Sequence, residues 1–285
     1  MNSLTDIGAI KELLARHGFT FSKALGQNFL INPSVCPRIA EQGGAAPGVG
    51  AIEIGPGIGV LTRELAKRAD KVVAVEIDQR LIPVLAETLE GYDNVRVLNA
   101  DVLKVDLKAL IAKEFSGMEV VLCANLPYYI TSPIIMGLLE AKLPIKSITV
   151  MVQKEAAVRL CALPGTRDVG AVSIAVRYFS TPRLLFQVSR GSFLPAPNVD
   201  SAVIRLDLQK PPSLDFDEPV FFRVVRAGFA QRRKTLVNSL AGTLGLDKNA
   251  VAAALADCGI KPTARAEELQ MEQFLTLARQ LSFVL

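Results

Sequence analysis

Between residues 49 and 152 the chain alternates short apolar runs with amphipathic stretches. Apolar runs of this length are those of strands buried on both faces, and strands of that kind lie parallel, joined by helical crossovers. Strands are read at Gly50–Ile54, Val72–Ile77, Val95–Leu98, Val120–Ala124 and Ile148–Val152. Helices are read at Val60–Arg68, Arg80–Leu89 and Pro133–Lys142, with Pro133 suited to a first helical turn after Ser132, where a missing N–H removes no hydrogen bond. The expected fold class is α/β, a doubly wound, Rossmann-like sheet.

Residues 171–179 read as a further helix, and Leu184–Val188 with Ala202–Leu208 as two more strands forming an antiparallel edge. Pro211 and Pro212 then interrupt the chain, and past Phe221 only helical spacing remains. Two domains follow, 1–210 carrying the sheet and 211–285 small and all-α. A chain of 285 residues, 50% hydrophobic, has enough apolar side chains for both cores. It contains no run of eighteen apolar residues, and Asp6, Lys11 and Glu12 interrupt the N-terminus where a signal peptide would be apolar, so a soluble, cytoplasmic protein without membrane contact is expected. Cys36, Cys123, Cys161 and Cys258 are too scattered for a disulfide framework or a metal site. The single histidine, His17, shares an amphipathic stretch with Ile10, Leu13 and Leu14 and reads as a solvated helix end, not as the base of a Ser-His-Asp or Cys-His mechanism.

Four features fall at consecutive strand ends. Glu53-Ile54-Gly55-Pro56-Gly57-Ile58-Gly59 closes the first strand, and its glycines let a ligand approach the backbone near a helix N-terminus. The spacing is not that of the dinucleotide fingerprint, because Val60 stands where the third glycine would be. Glu76 ends the second strand, placed to accept hydrogen bonds from ribose hydroxyls. Asp101 ends the third, placed to accept one from an adenine amine. Asn125-Leu126-Pro127-Tyr128 follows the fourth, where an amide, a stiffened backbone and an aromatic ring fit a flat, amine-bearing substrate such as a nucleobase. An adenosyl cofactor beside a substrate matches that order, and S-adenosyl-L-methionine fits better than a dinucleotide because no site for a second nucleotide is evident.

The chain also resembles the ribosomal RNA small-subunit adenine N6-dimethyltransferases, the KsgA/RsmA family. The resemblance covers nearly its whole length, from Lys23-Ala24-Leu25-Gly26-Gln27-Asn28-Phe29-Leu30 through the glycine loop, Val75-Glu76-Ile77-Asp78, Asn125-Leu126-Pro127-Tyr128 and Val150-Met151-Val152-Gln153-Lys154-Glu155. It continues through Phe193-Leu194-Pro195-Ala196-Pro197-Asn198-Val199-Asp200-Ser201 to Gln231-Arg232-Arg233-Lys234-Thr235-Leu236-Val237-Asn238. It departs at Val169, where such proteins often carry an aromatic residue. The resemblance implies an S-adenosylmethionine methyltransferase sheet with a helical RNA-recognition domain, acting on 16S rRNA within the immature 30S subunit, and a monomer. By the same likeness Asn28 and Leu30 would touch the methionine end of the cofactor, Gly55 its middle, Glu76 its ribose and Asp101 its adenine, with Asn125 lining both pockets.

For the reaction, the Asn125 side-chain oxygen and the backbone carbonyl of Leu126 or Pro127 would hold the N–H groups of an adenine amine and aim its lone pair at the methyl group. No strong base is needed, since the cofactor activates the methyl group and the proton can leave afterwards. Tyr128 would stack on one face of an extruded base, and the resemblance makes Phe193 the candidate for the other, although a core aromatic near a strand start is an alternative there. The segment from Arg223 to Lys234 holds Arg223, Arg226, Arg232, Arg233 and Lys234 with no acid, and reads as phosphate contacts or as a solvated helix face. Two rivals stand beside this reading: a macrolide-resistance methyltransferase of the Erm type acting on 23S rRNA, and a non-catalytic assembly or transcription factor that keeps the fold.

Overall fold

Nine strands are present: β1 (Phe29–Leu30), β2 (Val49–Ile54), β3 (Lys71–Glu76), β4 (Val95–Asn99), β5 (Glu119–Asn125), β6 (Ser147–Gln153), β7 (Ser180–Val188), β8 (Phe193–Leu194) and β9 (Ser201–Leu208), in a computed structural model that describes residues 4–22 and 26–285. Seven of them form one sheet in the order β4-β3-β2-β5-β6-β9-β7. From β4 to β6 the pairing is parallel, and β9 then runs antiparallel to β6 with Val150 opposite Ile204. Every residue of β2 is buried, which is why Val49–Ile54 reads as continuous and not alternating apolarity. β7 closes the edge and contains Pro182, which a sheet tolerates only where an N–H is not needed for pairing.

The crossover helices are α3 (Val60–Ala66), α4 (Ile82–Thr88), α5 (Leu107–Glu114) and α6 (Thr131–Glu140), preceded by α1 (Ile7–Arg16) and α2 (Val35–Gln42). One apolar cluster joins Ile39, Leu61 and Leu65 to Ala51 and Val121 of the sheet. A second joins Ile10, Leu13 and Leu14 of α1 to Phe29, Ile58 and Leu85, so the N-terminal segment is held against the glycine loop. All five parallel strands are found where apolar runs place them. β3 stops at Glu76, one residue before Ile77, and α6 begins at Thr131, so Pro133 is its third residue, still within the turn whose amides have no intrahelical acceptor. α2 and α5 are additional to the helices read from the pattern, and the two-residue ribbon of β1 with β8 is too short for an alternating period to emerge.

The chain divides into two units, one containing residues up to Ala157 with Thr181–Leu208, the other Val158–Ser180 with Gln209–Leu285. The expected boundary at 210/211 assigned residues 158–180 to the sheet, whereas the division groups them with the C-terminal helices. The reason lies in α8 (Ala171–Phe179), which follows α7 (Lys154–Cys161): Tyr178 stacks on Phe221 with ring centroids 5.0 Å apart, and Phe179 stacks on Phe222 at 5.5 Å. The Tyr178 hydroxyl also donates to Oε2 of Glu218 at 2.9 Å. Helices α9 (Glu218–Phe229), α10 (Leu236–Leu244), α11 (Lys248–Asp257) and α12 (Met271–Leu281) complete this unit, with Phe229 of α9 stacked on Phe274 of α12. Among the described residues no helix is long and apolar enough to cross a membrane.

Candidate functional site

β2 is paired on one side to β3 and on the other to β5, so the order of the parallel strands reverses at β2. In open α/β sheets the crevice beyond the carboxyl ends of such strands is where ligands bind. Ile54 and Ala124 are opposite each other in the β2–β5 pair, which brings Gly55 and Asn125 side by side at that edge. A cavity of about 860 Å³, counted to its open mouth, lies here. Its wall combines Asn28 and Leu30, Gly55 and Gly57, Glu76, Asn125 to Tyr128, and Phe193.

Gly55 adopts φ 69°, a left-handed conformation that only glycine takes without strain, and a Cβ there would have nothing nearer than the Asn125 carbonyl oxygen at 3.9 Å. The bare backbone is therefore a surface a ligand can lie against. Glu76 is buried and held from both sides: Oε2 accepts from the Gly57 N–H at 3.3 Å and Oε1 from the Asp78 N–H at 2.8 Å. Burial raises its pKa, while these amides favour the charged form. Each oxygen keeps a lone pair for a hydroxyl donor. Gln27 completes the second layer, donating to Oδ2 of Asp78 at 2.7 Å.

Glu53 has a different environment. It lines the cavity, is 1% exposed, and its Oε2 has no hydrogen-bond partner among the described residues. Burial pushes its pKa up to about 8, with the Glu76 carboxylate adding to the rise. The nearby Thr62 hydroxyl works in the opposite direction, although its Oγ1 reaches no partner in normal hydrogen-bond geometry. The neighbouring thiols of Cys36 and Cys123 are also pushed up by burial and by Glu53 itself, so they remain neutral and offer no counter-charge. A buried acceptor without a donor on a cavity wall suits a ligand that brings a cation or an N–H group.

At the other end of the cavity, Nδ2 of Asn125 donates to the Asn28 carbonyl at 3.4 Å, which leaves Oδ1 as the group able to accept. Pro127 starts a single turn of 3₁₀ helix, Tyr128–Ile130, and its carbonyl accepts both the Ile130 N–H and the Thr131 hydroxyl. The Leu126 carbonyl accepts no hydrogen bond among the described residues. Tyr128 is tethered through its hydroxyl to Oγ of Ser201 at 2.6 Å, and burial raises its pKa. Phe193 meets the cavity through the β1–β8 ribbon, opposite Leu30, and is 3% exposed within the core cluster.

Asp101 lies outside the cavity wall. It sits two residues past β4, where Oδ1 caps the Leu103 N–H at 3.1 Å and Oδ2 lies 3.8 Å from Lys104 Nζ. His17 caps the end of α1 and meets Oε2 of Glu87 at 2.7 Å, as a helix-end histidine should. The five basic residues all stand in the helical unit and are exposed; Arg223 and Arg226 share one face of α9, and Arg232 lies 3.6 Å from Glu267 and donates to the Arg167 carbonyl. The side chain of Glu53 is the wall residue that strand reading passed over. Its signal was present, a lone acid inside an otherwise apolar, fully buried strand.

A mainly parallel sheet with this cavity at its switch point defines the chain as an α/β protein with a ligand site at the sheet's carboxyl edge, and the solved structures it resembles are methyltransferases. It superposes on a dimethyladenosine transferase from Plasmodium falciparum with a TM-score of 0.73 and 26% identity, covering 89% of this chain and 97% of the other. The 23S rRNA methyltransferase ErmE gives a TM-score of 0.68 and 31% identity over 89% of this chain and 99% of its own. The chain belongs to the ribosomal RNA adenine dimethylase family, whose model matches residues 18–282, and it is an rRNA adenine dimethyltransferase. It is 53% identical to the ribosomal RNA small subunit methyltransferase A of Geobacillus thermodenitrificans, covering 96% of this chain and 95% of the relative. Its identity to the protein of the same name from Bacillus cytotoxicus is 49%, over 99% and 98%.

Proposed function

We propose that the chain uses S-adenosyl-L-methionine to dimethylate N6 of two adjacent adenosines near the 3′ end of 16S rRNA, on an immature 30S subunit, as a cytoplasmic monomer aiding ribosome biogenesis. The observation that carries this reading is the pair of acceptors at the end of β5. The Asn125 amide is turned so that Oδ1 is available, and the Pro127 carbonyl is already used twice. That leaves Oδ1 of Asn125 and the Leu126 carbonyl as the two acceptors for the N–H groups of an adenine amine. Holding both hydrogens favours a tetrahedral nitrogen and aims its lone pair along one line. Tyr128, tethered to Ser201, offers a fixed ring face for the base, and Phe193, which also lines the cavity, is the candidate for the other face.

The cofactor fit rests on the unpartnered Oε2 of Glu53, on the Glu76 carboxylate and on the open backbone at Gly55. When bound, S-adenosylmethionine supplies a methyl group already activated by its sulfonium. Asn28 and Leu30 would border its methionine end and Glu76 would accept from the ribose hydroxyls, while Asp101, outside the cavity wall, would accept from the adenine amine as the family resemblance implies. Arg223, Arg226, Arg232, Arg233 and Lys234 would contact RNA phosphates, which position a substrate without reading its sequence. The likeness to ErmE keeps the large-subunit reading as the alternative. Incubating each purified ribosomal subunit with methyl-labelled cofactor separates the two. Label in immature small subunits, mapped to a pair of neighbouring adenosines, is the expected result, and label confined to large subunits would overturn the proposal.

A further inference from the structure

Tyr129 is 62% exposed, the most exposed aromatic ring near the cavity, and it directly follows the acceptor segment. In a 3₁₀ turn successive side chains point about 120° apart. Tyr128 therefore faces inward to Ser201 while Tyr129 faces out. The outward ring has support: Gly26 lies beside it, and a Cβ on that glycine would be 3.4 Å from both Cδ1 and Cε1 of Tyr129. A Cβ at that distance would touch the ring in ordinary van der Waals contact, so Gly26 packs directly along its edge. The side chain packs along one edge against Gly26 and leaves its remaining aromatic surface open.

An enzyme that extrudes one base from RNA must also deal with the base next to it, which loses its stacking neighbour. Two consecutive tyrosines, one turned inward and one outward, provide one ring for each of two consecutive bases. We propose that Tyr129 is a positioning residue that stacks on the nucleobase adjacent to the target adenine, and so holds the dinucleotide in register with the acceptor pair. The inference rests on the reading of the site given above and adds to it the recognition of the neighbouring nucleotide. The ring acts on RNA alone, so cofactor affinity is independent of it.

The test is a two-by-two cycle between protein and RNA. Full-length protein, wild type and Tyr129→Ala, is assayed on reconstituted small subunits carrying either the natural 16S sequence or an abasic nucleotide next to one target adenosine. On the natural substrate the variant should lose about 5-fold to 150-fold in kcat/KM, the range that base–aromatic stacking spans. Wild type should lose a similar factor on the abasic substrate, where the variant loses nothing more. Tyr129→Phe should restore activity, and the dissociation constant for cofactor should be the same in all three proteins. A full further loss when the variant meets the abasic substrate, no loss for the variant on the natural one, or a weakened cofactor constant would each overturn the stacking role. Failure of the wild type to methylate the natural substrate would instead overturn the site reading beneath it, and the two failures are therefore distinguishable.

Discussion

Replacing Glu53 with glutamine keeps the shape of the side chain and removes its titration. Glu53 is 1% exposed with a pKa raised to about 8 from 4.5. A carboxyl whose folded pKa lies above its unfolded value binds more protons when folded, so stability is greatest at low pH and falls as pH rises between the two values. Between pH 5 and pH 8 that loss amounts to roughly 3 kcal/mol for Glu53 in the cofactor-free protein. Glu76, raised in the same direction by burial, adds to the slope and remains in the variant. Carboxylates with lowered pKa, such as Asp78 beside Arg80 and Asp207 beside Arg205, lose their contribution only at more acidic pH and do not affect this window. The glutamine amide carries its own cost of about 1–3 kcal/mol for unpaired N–H groups, but that cost is the same at every pH. The slope is therefore the quantity to measure, by denaturant unfolding followed with far-UV circular dichroism, because the chain has no tryptophan. Glu53→Gln should be flatter than wild type by roughly 3 kcal/mol across pH 5 to 8; parallel slopes for the two proteins would refute the buried, uncompensated carboxyl. Binding of a cationic cofactor beside Glu53 should reverse the preference, and calorimetry in buffers of different ionisation heat should show protons released by wild type at pH 7 and not by the variant.

Three further outcomes are expected. Asn125→Ala should leave cofactor binding measurable by calorimetry while methyl transfer falls by orders of magnitude, since the amine then has one acceptor and no aim; near-normal turnover would exclude the clamp. Tyr128→Phe removes the tether to Ser201 and leaves a buried hydroxyl unpaired, so thermal unfolding should show a loss of about 1–2 kcal/mol, with a modest drop in transfer because the stacking face persists. Charge reversal at Arg232 and Arg233 should weaken RNA binding and reduce the dependence of log affinity on log salt by about 0.7–0.9 for each phosphate no longer neutralised, read from titrations at several salt concentrations. An unchanged slope would return those arginines to a solvated helix face.

The parallel strands, the glycine loop and the strand-end positions of Glu76 and Asn125 were legible from the chain because each is a local matter: a run of apolar residues, a backbone that needs glycine, a polar residue where a strand stops. The division of the chain was not, because Pro211-Pro212 marks a break in composition while the packing of Tyr178 and Phe179 on Phe221 and Phe222 places residues 158–180 with the helices. Pattern likewise placed the acceptor segment but left its second carbonyl open, since Leu126 and Pro127 are equivalent on paper. Only the 3₁₀ turn, which occupies the Pro127 carbonyl, distinguishes them. Phe193 reaches the site through a two-residue ribbon with Leu30, too short to show a period and made between positions distant in the chain. What the sequence determined alone was the order of strand-end groups along the sheet, because strand period and turn chemistry are properties of neighbouring residues. What the tertiary structure decided was which of those groups remain free to bind, because an unpaired oxygen on Glu53 or Leu126 is defined by everything packed around it.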